Sequence, residues 1–221
     1  MWVIIVAGGV GSRMKGNVPK QFLEICGKPI LMHSLLAFTN FCEGARLIVA
    51  LPPSQFEKWH KLCEIHNFNL PHTVVEGGET RFHSVKNALI LLPDNGYVAI
   101  HDGVRPLVSK QTILNCFRNA FIHECAVPAV PVNDSVREIT GVKSKVLDRS
   151  KLCLIQTPQV FDIAKLKKAY NRDYSPEFTD DAAVYESSGN PIFLCEGNVE
   201  NIKITTPSDL IVAEAFIRKG N

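Results

Sequence analysis

The chain has 221 residues, 46% of them hydrophobic, and a formal net charge of +2. That length suits one or two domains with enough chain to bury a sizeable core. The near-neutral balance excludes a global field that would draw in nucleic acid or a membrane surface.

The N-terminus has no basic segment, and its first apolar run stops after a few residues, so neither a signal peptide nor a membrane span is expected. Val3 to Val6 is that run, rich in β-branched residues and ended by glycines, the pattern of a buried parallel strand. Ala7, Gly8, Gly9 and Gly11 follow, with Ser12 and Arg13 close behind. Glycine lets a backbone approach a ligand closely, and a glycine-rich loop after a first strand turns N–H groups toward phosphates. Arg13, Lys15 and Lys20 add three cations, which suit a polyphosphate. Met14 stands where a Rossmann fingerprint needs its third glycine, and no Gly-Lys-Ser/Thr follows Gly11 as a P-loop requires. A glycine turn with solvated lysines is the plainer alternative.

Pro29 to Phe38 carries apolar residues at helical spacing behind a proline, the start of a first helix. Leu47–Leu51 is a second strand, Gln55–His66 a helix, and Thr73–Val75 a short strand. A second glycine turn, Glu76-Gly77-Gly78-Glu79, leads into a helix over Thr80–Leu92 that Thr80 can cap. Tyr97–Ile100 is a strand running into His101-Asp102-Gly103-Val104-Arg105-Pro106. Lys110–Glu124 is a helix and Ala126–Val132 a strand. This alternation predicts an α/β fold: one Rossmann-like, mostly parallel sheet with helices on both faces and ligands at the carboxyl ends of its strands. It breaks at Asn133. Residues 133–150 are polar, lack a helical apolar face and turn at Thr140-Gly141, so they predict a hairpin arm reaching out of a single domain. Helices are expected again at Ile163–Asn171, Thr179–Ser187 and Pro207–Arg218, and strands at Ile192–Cys195 and Asn201–Ile204. Seven cysteines, an odd number without C-x-x-C spacing, predict reduced, buried thiols in a cytosolic protein and argue against zinc.

The first loop, A-G-G-x-G-x-R followed by P-K, resembles the signature of sugar-phosphate nucleotidyltransferases. Pro19-Lys20-Gln21-Phe22 narrows the resemblance to the cytidylyltransferases that act on polyol phosphates. It runs in order from residue 3 to about 215. Its implied reaction joins a phosphate monoester to the α-phosphate of CTP and releases pyrophosphate. Such chemistry rests on positioning and cationic stabilisation, and the attacking phosphate oxygen is already ionised, so no acid–base pair is needed. The resemblance gives Arg13, Lys20 and Lys203 the catalytic role, with Lys203 in Asn201-Ile202-Lys203-Ile204-Thr205. It gives nucleotide binding to Ala7, Gly8, Gly9, Gly78, Glu79, Ser84, Asp102 and Gly103, within G-G-x-x-R-x-x-S-V and H-D-x-x-R-P blocks. Glu79 stands where the family commonly has Asp, and Gly103 where it often has Ala. Substrate binding falls to Arg105, Ser135 and Arg149, the last two carried by an arm that crosses to a second subunit in a homodimer. Asp102 could hold Mg2+ or another divalent cation, or pair with Arg105 to stabilise the loop. Gln156-Thr157-Pro158-Gln159 and Thr179-Asp180-Asp181-Ala182 are further family blocks, and His101 reads as structural. Arg81-x-x-Ser84-Val85 and Leu147-Asp148-Arg149-Ser150 favour the methylerythritol-phosphate branch over the ribitol-phosphate branch. A nucleotide-binding module without catalysis is the alternative of another class.

Overall fold

The computed structural model describes residues 1–9, 18–41 and 44–220. The strands are β1 (Trp2–Val6), β2 (Glu24–Ile25), β3 (Lys28–Pro29), β4 (Arg46–Leu51), β5 (Thr73–Glu76), β6 (Tyr97–Asp102) and β7 (Cys125–Pro131) in the first part of the chain. Helices α1 (Ile30–Phe41), α2 (Phe56–Ile65), α3 (Arg81–Leu89) and α4 (Lys110–His123) lie between them. Then follow β8 (Val136–Thr140), β9 (Lys143–Leu147), β10 (Cys153–Ile155), β11 (Gln159–Asp162), α5 (Ile163–Tyr170), α6 (Asp181–Glu186), β12 (Leu194–Glu196) and α7 (Pro207–Arg218).

The main sheet runs β10-β7-β11-β6-β1-β4-β5, with β12 paired to β7. Strands β5, β4, β1 and β6 are mutually parallel. Strand β11 enters antiparallel between β6 and β7. The strands are apolar on both faces because both are covered. Val3, Ile5, Leu47 and Val49 pack with Leu35 and Phe38 of α1, Trp59 of α2 and Ile113 of α4. Ile4, Ile48, Val98 and Ile100 pack with Val85 of α3, Leu166 of α5 and Tyr185 of α6. A smaller cluster joins Ile25, Ile30 and Val104 to Ile204 and to Ala213 of α7.

The predicted elements are present with shifted edges, apart from one. Asn201–Ile204, expected as a strand, pairs with no strand. The β12 ladder ends at Glu196 opposite Ala129, and side-chain amides hold the chain beyond it. His101 and Asp102 close β6 rather than opening a loop, since β6 stays paired with β1 through Val6↔Asp102. Asp180 caps α6, accepting from Ala183 N–H at 2.9 Å. Residues 133–150 contain an exposed antiparallel hairpin in register Val136↔Leu147 to Thr140↔Lys143. Gly141 takes φ +61° in its two-residue turn, as tight hairpins require. Of the described cysteines, Cys116 and Cys125 are buried, Cys63 and Cys195 half-buried, and Cys26 and Cys153 exposed; all are free thiols. The expectation of buried thiols thus fails for Cys26, which sits with Gly27 at positive φ in the β2–β3 turn, and for Cys153. Cys42 lies outside the described residues. Among the described residues no helix is long and apolar enough to cross a membrane.

Candidate active site

A cleft of about 300 Å³ opens at the carboxyl ends of β1, β5 and β6. Strand β1 delivers Ala7, Gly8 and Gly9, the turn after β5 delivers Gly78 and Glu79, and β6 delivers Asp102. Lys20 follows the first loop and lies across Gly9, where an added Cβ would come within 3.2 Å of its Cε. Buried Gln21 fastens this loop from behind, its Nε2 donating to the Ala7 carbonyl at 2.7 Å and to Gln55 Oε1 at 2.6 Å.

The opposite wall is the N-terminus of α3. Thr80 caps it, accepting from His83 N–H. Ser84 Oγ donates to the Thr80 carbonyl at 3.0 Å and accepts from Gly78 N–H at 3.1 Å. The glycine turn is thereby pressed against the helix: a Cβ on Gly78 would fall 2.3 Å from His83 Cβ. A wall of backbone groups and one small hydroxyl offers donors and acceptors to a base edge without bulk.

Asp102 forms the floor and is 6% exposed. Lys203 Nζ lies 2.9 Å and Arg105 Nε 3.4 Å from its Oδ2, while Arg81 Nε lies 3.3 Å from its Oδ1. Burial pushes the Asp102 carboxyl up, but Arg81, Lys203 and Arg105 outweigh it and hold the group well below the usual carboxylate range. Arg81 also reaches Asp181, with Nη2 2.6 Å from Oδ2. Asp181 is fully buried and accepts a 2.6 Å bond from Tyr170 Oη. Burial opposes the Arg81 charge, and Asp181 and Asp102 more than restore it, so its pKa lies above the ordinary value. Burial, reinforced by Asp181, pushes the Tyr170 hydroxyl well up. His101, also fully buried, is held neutral: burial takes its pKa down to about 4. Its Nε2–H donates to the Arg105 carbonyl at 2.9 Å, and Nδ1 pairs with Thr157 Oγ1 at 3.0 Å. That hydroxyl accepts the Asp102 N–H at 3.1 Å, so His101 fixes the backbone around the carboxylate.

Residues 1–219 match a protein family, that of 2-C-methyl-D-erythritol 4-phosphate cytidylyltransferase. The chain belongs to this family. The enzyme of that name from Bacteroides fragilis is 51% identical over 97% of this chain and 98% of its own length. The one from Porphyromonas gingivalis is 43% identical over 98% and 97%. The crystal structure of the Thermus thermophilus enzyme superposes with a TM-score of 0.77 at 32% identity, covering 98% of both chains.

Of the site residues expected for this cytidylyltransferase family, the cleft brings together Ala7, Gly8, Gly9, Lys20, Gly78, Glu79, Ser84, Asp102 and Lys203. Arg13 lies outside the described residues. Gly103 sits beneath the loop rather than in the cleft, where an added Cβ would meet Ala7 Cβ at 3.0 Å and Leu31 Cδ1 at 3.1 Å. Arg105 turns inward, its Nη1 donating to the Asn201 carbonyl at 2.6 Å and its Nε engaged with Asp102. Ser135 and Arg149 are exposed at the base of the hairpin, and neither lines the cleft. Arg149 Nη1 donates to the Asn133 carbonyl. Arg81, which the sequence offers within Arg81-x-x-Ser84-Val85 without a role of its own, also lines the cleft, from the first turn of a helix behind a glycine turn.

Proposed function

We infer that this chain transfers the cytidylyl group of CTP to 2-C-methyl-D-erythritol 4-phosphate, giving 4-diphosphocytidyl-2-C-methyl-D-erythritol and pyrophosphate. The family match over residues 1–219 carries this reading. The cleft supplies its mechanism. The cytosine edge lies against the Gly78–Ser84 wall, and the triphosphate lies along Ala7–Gly9 beside Lys20. Lys203 and Lys20 then flank the α-phosphate, where an oxygen of the substrate phosphate attacks and pyrophosphate leaves. The negative charge that builds on the phosphoryl oxygens is met by preorganised cations. No side chain has to take a proton.

Among the described residues no three His, Cys, Asp or Glu side chains converge into a metal cage. A single carboxylate fits Mg2+ all the same, because this ion keeps its waters and takes most other ligands from phosphates. Asp102 would hold it, with Lys203 released from Oδ2 toward the triphosphate. The ion would supply charge neutralisation on the phosphate oxygens. Arg105 contributes charge at the floor of the cleft, and we assign the polyol phosphate to Ser135 and Arg149 of a second subunit in a homodimer. Free thiols suit a reducing cytoplasm.

Incubating the protein with CTP, magnesium and either methylerythritol phosphate or ribitol phosphate, with pyrophosphate release as the readout, tests the reading. Turnover is expected with the first polyol. Turnover with ribitol phosphate alone would reassign the substrate, and nucleotide binding without pyrophosphate would reject catalysis.

A further inference from the structure

Lys203 stands on a segment without strand pairing, yet its ammonium must reach one point in the cleft. Three amide side chains hold that segment. Gln156 Oε1 accepts from Asn198 N–H at 3.3 Å and from Asn201 Nδ2 at 3.4 Å, and its Nε2 donates to the Asn198 carbonyl at 2.9 Å. Asn201, fully buried, donates from Nδ2 to the Thr157 carbonyl at 2.8 Å. Asn198 Nδ2 donates to the Leu107 carbonyl at 3.0 Å, and its Oδ1 accepts from Ser109 N–H at 3.1 Å.

Gln156 is itself fixed to the sheet, its N–H donating to the Pro128 carbonyl at 2.8 Å, next to Ala129, which takes Gly197 N–H at 3.0 Å. The two chains meet so closely that a Cβ on Gly197 would lie 2.4 Å from Gln156 Oε1. From Asn201 the geometry passes straight to the site. Its carbonyl receives Arg105, which also holds Asp102, and Lys203, two residues on, ends on that same carboxylate.

We propose that Gln156 and Asn201 are positioning residues for Lys203: they replace the missing strand ladder with a side-chain amide clamp and so set where the ammonium meets the reacting phosphate. The proposal rests on the cytidylyltransferase reading above. A buried amide network holds one arrangement well; here Gln156 and Asn198 are bonded through both amide atoms and Asn201 through its Nδ2, its Oδ1 having no hydrogen-bond partner among the described residues. A catalytic group displaced by an ångström loses about a hundredfold in rate. The triphosphate and base walls are built from other elements, so the clamp acts on turnover rather than on nucleotide affinity.

The test is a double-mutant cycle on the full chain with CTP, magnesium and methylerythritol phosphate. Asn201→Ala and Gln156→Glu are each made in the native chain and in Lys203→Ala. Gln156→Glu keeps the side chain's volume and an acceptor for Asn198 and Asn201, and sets a carboxylate oxygen against the Asn198 carbonyl in place of the donor, so it disturbs the clamp without opening a cavity and remains informative if Asn201→Ala fails to fold. In the native background kcat is expected to fall about ten- to hundredfold, with KM for CTP nearly unchanged. In Lys203→Ala the same substitutions should cost almost nothing more, because they act through a side chain that is gone. Equal losses in both backgrounds, an effect confined to KM, or full turnover in Lys203→Ala would each overturn the proposal. An inactive native chain would instead reject the underlying cytidylyltransferase reading.

Discussion

Two arginines and a lysine converge on the Asp102 carboxylate, and one of them, Arg81, also neutralises the fully buried Asp181. Removing Arg81 strands a buried carboxylate, and breaking a buried pair from one side costs about 3–5 kcal/mol. Arg81→Ala is therefore expected to lower the urea midpoint strongly, and Arg81→Ala with Asp181→Asn should recover part of that loss. No recovery would mean that Arg81 acts on stability by some other contact. Lys20→Ala should leave the fold intact and cut kcat by about two to three orders of magnitude, and near-normal turnover would sink its role. His101 gives a pH signature. Its folded pKa of about 4 lies below the 6.5 of a free imidazole, so the unfolded chain takes the proton first. The stability due to neutral His101 is complete above pH 6.5 and is lost as pH falls toward 4, by about 3 kcal/mol in all. An NMR titration should find the His101 ring neutral at pH 5; a midpoint near 6.5 would contradict its burial.

At the scale of elements, the glycine turn and the capped start of α3 form one unit. Gly78→Ala would force the turn away from His83, and the expected result is a raised KM for CTP with the melting temperature little changed. Unchanged CTP affinity would move the base elsewhere. The same wall should prefer CTP to ATP and GTP, because a small pocket of backbone groups leaves no room for a purine; comparable purine turnover would refute it. These elements were legible because local chemistry carries them. Thr80 announces the cap, Gly77-Gly78 the turn, and the apolar run Val3–Val6 the central strand. Strands β10 and β11 were missed because their signal is not local. Cys153–Ile155 is short, and Gln159–Asp162 joins the sheet antiparallel between β6 and β7, where pairing partners far along the chain decide the outcome. Asn201–Ile204 failed in the opposite sense: its apolar residues pack against Val104 and α7, and burial alone imitated a strand. Arg81 was visible as part of a motif, but its charge role was not, because its partner Asp181 is a hundred residues away in the chain.

Ser135 and Arg149, the residues assigned above to the polyol phosphate, lie outside the cleft of their own chain. The hairpin β8–β9 exposes Ile139 at 77% and Val146 at 61%, and β10 exposes Leu154 at 55%. These are apolar side chains that a second copy would cover. Arg149 follows the hairpin directly and does not line the cleft of its own chain. A two-fold pairing through the arm would carry the Arg149 of each subunit toward its neighbour. Suppose Lys20 serves one subunit's site and Arg149 reaches it from the other. Homodimers of Lys20→Ala and of Arg149→Ala would then be impaired at both sites. In a mixed dimer one site would carry both lesions and the other neither. Random reassociation makes about half of the dimers mixed, so about a quarter of all sites should regain full activity. The measurement is to dissociate the two variants together, reassociate them, count mixed dimers by mass and assay pyrophosphate release. If each Arg149 served its own subunit, every site would keep one lesion and no activity would return, and mixed dimers without recovery would reject the shared site.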